Sequence, residues 1–550
     1  MGRQQSRVRS VVALIWIAFI ARGAFYATVL PIWEGFDEYE HFAYVHELMT
    51  FGALPAPDAR VSVEISQSLK LVPLPWSLRK WAPPAVTHDA YWTLSEQERS
   101  AREEALDRLP PGPQKSGEGE FIGEAKQPPL YYALASLALR SVTGHSLTSR
   151  VLVLRLFSIL IVSLVIPLAF LVCWRVLGEA VPALMATILV ASMPGFLISV
   201  SRVANDCLAI VLFAVLAYAL LRPQPWDGWG VLLIGVTLGA GLLTKAYFIA
   251  AFPAILWSAV AELFKAPRDQ RVRSFMKISA VLVLVSLMAG WWYVRILGAD
   301  GPVWVDAAPL VPSSFSDLLK SAAQMDWWEG IKVILNTHVW IGGWSFLSVR
   351  SWMYAVIRVI LLIAVAGGLL RVLRERTHLP IALCLYGGFW AALLYHAFVN
   401  WVNVGIPTST GWYLHAVLVC EVAIICSAFQ WLGPGLRGYA MAGLTSLVLL
   451  LEAYATHFVL IPYYTGLISH RLDTSLTSFH LSQGLDHGWQ QILMRLSANK
   501  PNFVGPGTVG LLWAAFALAS AFLFVLAWTY VNDRGERSKP KLKRRRRHRR

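Results

Sequence analysis

Apolar residues fall in thirteen runs along the chain, near residues 11–32, 128–143, 151–177, 179–198, 204–222, 228–246, 247–265, 275–297, 352–373, 379–402, 412–432, 436–461 and 507–531. A helix needs roughly 20 apolar residues to cross a bilayer core, where free backbone N–H and C=O groups find no partner. The pattern therefore predicts an all-α integral membrane protein. The run from Pro128 to Val142 is short and opens on a Pro-Pro pair, so it predicts a helix lying in the outer interface instead. Charge supports that demotion. Thirteen crossings would put Arg3, Arg7 and Arg9 opposite the basic C-terminal tail, against the tendency of Lys and Arg to stay cytoplasmic. Twelve crossings place both termini, the turn at Arg175, the 265–277 connection and the 371–376 cluster on the cytoplasmic side. The long stretches 33–150, 298–351 and 462–506 are then extracytoplasmic. No small-x-small cleavage site follows the first run, which reads as an uncleaved spanning helix.

Composition agrees, with 56% hydrophobic and 15% charged residues and a mean hydropathy of +0.53. A net charge of +15 would suggest nucleic acid in a soluble protein. Here eleven Lys or Arg and one acid, Glu536, lie between Arg534 and Arg550, so most of the excess sits beside the last apolar run. That is a topology signal with an attraction for anionic membrane lipids, and nucleic acid is not an expected partner. All five cysteines, Cys173, Cys207, Cys384, Cys420 and Cys426, lie in or at the edge of apolar runs, which implies no disulfide framework.

The polar chemistry gathers outside the membrane. Trp33-Glu34-Gly35-Phe36-Asp37-Glu38-Tyr39-Glu40-His41 follows the first run with four carboxylates and an imidazole. Helical spacing puts Asp37, His41 and Tyr44 on one face and Phe42, Val45 and Met49 on another, as in an amphipathic interfacial helix. The acids are either a reactive cluster or caps for that helix. Asp206 sits between two predicted spans, where it too is placed to cap a helix. Lys245 and Arg295 stand at the outer ends of two others, a common place for snorkelling anchors. Together, the twelve-span topology brings Asp37, Lys126, Asp206, Lys245 and Arg295 to one membrane surface. Such a set suits a phosphate-bearing lipid with a base beside it. Trp304, Trp327, Trp328, Trp340 and Trp344 crowd one external loop, either to stack on sugars or as an aromatic belt. Histidines do not cluster at ligand spacing, and neither a metal nor a cofactor is expected.

In these residues the chain resembles the membrane glycosyltransferases of GT-C fold, which take sugar from a polyprenyl-phosphate carrier. The relatives are protein O-mannosyltransferases, lipid A aminoarabinose transferases and the bacterial group with a DUF2142-type or RgtA-like domain. The resemblance runs to about Leu432. It rests on Asp37-Glu38, Gln127-Pro128-Pro129-Leu130-Tyr131-Tyr132, Pro194-Gly195-Phe196 ahead of Asn205-Asp206, Leu243-Thr244-Lys245 and Trp291-Trp292-Tyr293-Val294-Arg295, in that order. It implies a GT-C-type bundle with interfacial helices in the first external loop and a catalytic module over 1–432. Further transmembrane helices would follow over 433–532, and a basic tail over 533–550.

By the same resemblance, Asp37 is the base that takes the acceptor proton as the hydroxyl attacks the sugar C1 with inversion. Asp206 is a second active-site acid and Glu38 belongs to the catalytic set. Lys245 and Arg295 would hold the leaving phosphate. His41, Lys126 and Tyr413 would complete the substrate contacts. The partners implied are a polyprenyl-phosphate-sugar donor and a glycan, lipid or protein acceptor outside the cytoplasmic membrane. Two positions depart from the pattern. Glu40 stands where aminoarabinose transferases carry arginine, and Trp412, in Gly411-Trp412-Tyr413-Leu414-His415, does so where many relatives read arginine.

Two alternatives stay open: a transporter or flippase of lipid-linked sugars, and a non-catalytic polysaccharide-assembly protein. A transporter should show inverted repeats and ionisable residues buried in its spans, neither of which the sequence displays. The charged, Pro-rich stretch 58–120 predicts a segment that orders only around acceptor.

Overall fold

The computed structural model describes residues 2–80, 85–112, 120–300, 314–372 and 378–537. Among them the only extended pairings are isolated bridges, and helix dominates. Nine helices among the described residues are long and apolar enough to cross a membrane: Gln5–Val29, Leu147–Leu177, Ala246–Lys265, Arg268–Leu297, Ser351–Val372, Leu379–Val404, Gly411–Trp431, Gly435–Tyr464 and Pro506–Val531. The pair Ala180–Ser192 and Pro194–Val200 is bent by 54° and makes a tenth if the two halves are taken as one span. Pro194 causes the break, because it has no N–H and its ring crowds the preceding turn.

All twelve expected runs are helical, but two are too short to span alone. Asp206–Leu220 and Gly228–Leu242 have 15 residues each, about 22 Å of helix against a bilayer core of about 30 Å. Both stop where polar residues of the site described below begin. The run opened by Pro128 forms the helix Leu130–Arg140, 11 residues long, with Tyr131, Tyr132, Ala135 and Leu139 buried and Leu134 and Leu137 exposed. It is amphipathic and too short to cross.

Three expectations need correction. The helix Glu38–Phe51 is not an amphipathic surface helix: Tyr39, His41, Phe42, Ala43, Tyr44, Val45 and His46 are all buried, because Leu130–Arg140 packs along it. The stretch 58–120 is folded wherever it is described. It forms the helices Val63–Leu71 and Glu96–Asp107, the second closed by a Ser95/Glu98 capping box. Val61, Ile65, Leu69, Leu74 and Leu106 share one apolar core with Phe42, Tyr132 and Leu139. Sparse apolar residues suffice there because the neighbouring helices supply the rest of that core. Residues 81–84, 113–119, Trp304 and the tail from 538 onward lie outside the described residues.

The third correction concerns buried charge. Arg22, inside the first span, pairs with Glu452 of the span Gly435–Tyr464, and both side chains are fully shielded. Arg22 also donates to Ala191 O, just before the Pro194 break. Tyr26 donates to Glu452 Oε1 at 3.3 Å and bonds Thr456 Oγ1 at 2.7 Å. A π-helical turn, Ala455–Leu460, follows directly, the kind of wide turn often found at functional positions. The two ions lie 430 residues apart in separate apolar runs, so the sequence pattern hid the pair.

Candidate functional site

The site is built where the first helix, Gly2–Val29, ends. Its last carbonyls are capped by two cations, the buried Arg155 and the half-buried Lys500. Lys500 donates to Val29 O at 3.2 Å and Leu30 O at 2.5 Å, and Arg155 donates to Ala27 O, Leu30 O and Pro31 O at 3.1, 2.7 and 2.7 Å. Burial and the nearby Arg155 push the Lys500 ammonium well below its ordinary range, with Glu38 opposing. The following segment contains two left-handed non-glycine residues, Trp33 and Asp37, a conformation Asp tolerates better than most side chains.

The four carboxylates divide into two kinds. Glu34 is fully buried, accepts from the Ser345 N–H at 2.8 Å and from Ser345 Oγ at 3.0 Å, and lies 3.3 Å from His88 Nε2. Glu38 is equally buried, gripped by Arg155 at 2.7 and 2.6 Å, and accepts from the Val203 N–H at 3.1 Å. Asp37 and Glu40 remain half-buried. Asp37 occupies the N-cap position of Glu38–Phe51, yet its side chain makes no capping bond. The capping explanation for this acid therefore fails.

Asp206 opens its short helix and anchors a buried charge cluster. Lys245 Nζ donates to its Oδ1 at 2.8 Å, Tyr247 OH to the same oxygen at 3.2 Å, and Arg202 Nη2 to Oδ2 at 3.2 Å. Arg202 Nη1 also donates to Phe36 O at 2.6 Å, tying the cluster to the residue before Asp37. Gly35 permits this approach, since a Cβ there would lie 2.6 Å from Arg202 Cβ. Arg202 had no role in the sequence argument, although its place four residues before Asp206 matches a helical ion-pair spacing. The Lys245 ammonium sits 5.2 Å from the Tyr413 ring and 5.6 Å from that of Tyr247.

The remaining expected residues spread around this cluster. His41 is buried, its Nδ1 2.9 Å from Tyr132 OH and 3.7 Å from Glu124 Oε2. Burial, then the charges of Lys245 and Arg202, drives its imidazole well below the usual range. Lys126 ends the short turn Gly123–Lys126, which Glu40 abuts: a Cβ on Gly123 would lie 2.3 Å from Glu40 Oε2. Arg295 is exposed on the rim, its guanidinium 5.7 Å from the Trp292 ring. Its charge reaches Tyr44, whose hydroxyl is raised by burial and drawn back by Arg295. Of the tryptophans expected in an external loop, Trp340 is buried and Trp327 stacks on Phe398 at 6.0 Å; Trp344 lies 5.3 Å from Phe36.

A family model described as a predicted membrane protein, DUF2142, matches residues 20–405. The chain belongs to the DUF2142 family. All the residues of the charge cluster lie inside the matched stretch, and Trp412 and Tyr413 lie beyond it. Among solved structures this DUF2142 protein is similar to ArnT from Cupriavidus metallidurans bound to undecaprenyl phosphate, with a TM-score of 0.45 and 12% identity over 97% of this chain and 78% of that one. It is also similar to the archaeal oligosaccharyltransferase AglB from Archaeoglobus fulgidus in complex with an inhibitory peptide and a dolichol-phosphate, with a TM-score of 0.42 and 13% identity over 94% and 56%. No curated protein matches the sequence. Among the described residues of this DUF2142 protein, no three His, Cys, Asp or Glu side chains gather where they would hold a metal ion.

Proposed function

We propose that this protein is a membrane glycosyltransferase that moves a sugar from a polyprenyl-phosphate carrier to an acceptor on the outer face of the cytoplasmic membrane. The observation that carries the reading is Arg202, which joins the backbone beside Asp37 to the Asp206–Lys245 pair. A half-buried carboxylate and a partly desolvated ammonium are thereby held on neighbouring segments. In this reading the acceptor hydroxyl gives its proton to Asp37 as its oxygen bonds the sugar C1. The C1–O bond to phosphate breaks from the opposite face, and its electron pair leaves on the phosphate. An ammonium has three N–H donors, so Lys245 can hold Asp206 and still meet a phosphate oxygen, with Arg295 approaching from the rim. Oriented cations stabilise the charge growing on a leaving phosphate. Asp206 keeps Lys245 aimed, while Glu38, taken up by Arg155, positions the Asp37 turn rather than reacting.

A specific observation favours one other reading. The buried Arg22–Glu452 pair and the break at Pro194 are features found in transporters, which favours a flippase of lipid-linked sugars as the second reading. One experiment separates the two. Membrane vesicles with and without the protein are supplied with radiolabelled polyprenyl-phosphate sugars, and both sugar transfer and carrier translocation are read. Transfer that disappears in Asp37→Asn, with carrier binding retained, supports the transferase. Translocation without transfer supports the transporter, and near-normal turnover in Asp37→Asn removes the proposed base.

A further inference from the structure

Phe36, the residue before Asp37, is the centre of an aromatic cluster collected from three distant parts of the chain. Trp412 stacks on its ring at 3.9 Å with 17° between planes. Trp344 and Phe346 flank it at 5.3 and 6.1 Å and meet each other edge to face at 5.9 Å. The Arg202 guanidinium lies 5.4 Å from the Phe36 ring. Phe346 is 44% exposed although large and apolar, and Trp344 and Trp412 are only partly covered.

Two details distinguish this cluster from ordinary packing. Phe346 and Asp37 both hold left-handed backbone, with φ of 49° and 55°, a cost of order 1 kcal/mol or more for non-glycine residues that tends to collect at ligand sites. Trp344 Nε1 is a buried donor with no hydrogen-bond partner among the described residues, another feature of sites that expect a ligand. The turn Gly411–Val417 then links this surface to the charge cluster. Trp412 lies against Phe36, while Tyr413, one residue on, lies over Lys245.

We propose that Trp344, Phe346 and Trp412 form a platform that binds a pyranose ring and sets it between Asp37 and Lys245. Flat aromatic faces beside a carboxylate match a sugar, which has an apolar C–H face and a rim of hydroxyls. An acyl chain would not seat beside Asp37 without desolvating its half-buried carboxylate. Trp412, which departs from the arginine of many relatives, thereby acquires a role: it trades a charge for a stacking face. The role given to Asp37 rests on the glycosyl-transfer reading, whereas the binding of a pyranose does not.

The ring can come from the acceptor or from the donor, and the test separates them. Phe346→Ala and Trp412→Leu proteins in lipid nanodiscs are titrated with soluble hexasaccharides of mannose and of glucose, with a Gly-Ser-Thr hexapeptide, with bare polyprenyl phosphate, and with polyprenyl-phosphate mannose and glucose. We expect roughly fivefold to tenfold weaker binding of a saccharide-bearing ligand, the scale of one lost aromatic contact, and unchanged binding of bare polyprenyl phosphate, which also reports that the variants are folded. Loss confined to the hexasaccharides makes the ring the acceptor's. Loss confined to the sugar-loaded carriers makes it the donor's. The proposal is overturned if no saccharide-bearing ligand is weakened, if bare carrier is weakened equally, or if the peptide is the ligand affected. Failure of the transferase reading is separately visible, because it leaves saccharide binding intact while no transfer occurs.

Discussion

Arg155 holds Glu38 through two hydrogen bonds, Nε to Oε1 at 2.7 Å and Nη2 to Oε2 at 2.6 Å, with both side chains withdrawn from solvent. The same guanidinium reaches three carbonyls at the end of the first helix. Removing one partner of such a pair strands the other as an uncompensated buried charge, at a cost of about 3–5 kcal/mol. Arg155→Ala and Glu38→Gln should therefore each markedly lower the melting temperature of the detergent-solubilised protein, since the Gln amide nitrogen cannot accept from Arg155 and leaves the guanidinium charge unpaired. Equal and small shifts in both would remove this clamp from the account.

Lys245 is expected to act on the carrier rather than the acceptor. Lys245→Ala should weaken binding of bare polyprenyl phosphate about tenfold or more, in line with the loss of one charge-assisted contact. Arg295→Ala, from an exposed rim position, should weaken it less. Titration of nanodisc-embedded protein with the carrier measures both, and an unchanged affinity in Lys245→Ala would exclude its phosphate role.

Acid should destabilise the fold in a defined window. Burial, with help from Arg150, pushes the His46 imidazole down to about 4, and burial, Lys245 and Arg202 also hold His41 well below its ordinary range. A folded value below the unfolded one, about 6.5, means that the unfolded chain binds protons the fold refuses. The stability these groups contribute is complete above about pH 6.5 and is lost as pH falls toward 4. Melting temperatures recorded from pH 7.5 to 4.5 should fall, and His46→Gln should show a shallower slope. A slope identical to that of the unmodified protein would contradict the assignment.

Gly411 fixes the turn that carries Trp412 and Tyr413. A Cβ there would lie 1.8 Å from Ile334 O and 2.5 Å from His338 N, both backbone atoms with little room to yield. Gly411→Ala should cost about 1–3 kcal/mol through overpacking and should displace both aromatic side chains. Reduced thermal stability together with weakened saccharide binding is the expected result; a silent substitution would show that the turn is looser than drawn.

Topology has its own check. A reporter inserted after Thr143 should read extracytoplasmic, as should one after Asn205. A cytoplasmic signal at Thr143 would make Leu130–Arg140 part of a crossing.

The sequence by itself determined the helices, because the information is local: a bilayer demands an unbroken apolar run, and every predicted run is helical. It also marked Asp37, Asp206 and Lys245, since polar residues at the ends of apolar runs stand out. Only the tertiary structure decided how the acids divide. Glu34 and Glu38 look equivalent to Asp37 along the chain, yet they are buried and bonded by partners 311 and 117 residues away, Ser345 and Arg155. The same holds for Arg22 with Glu452 and for Trp412 with Phe36. A lone charge or ring in an apolar run carries no trace of its partner, because pairing depends on how helices pack, and packing is set by the shapes of whole faces rather than by any short stretch of residues.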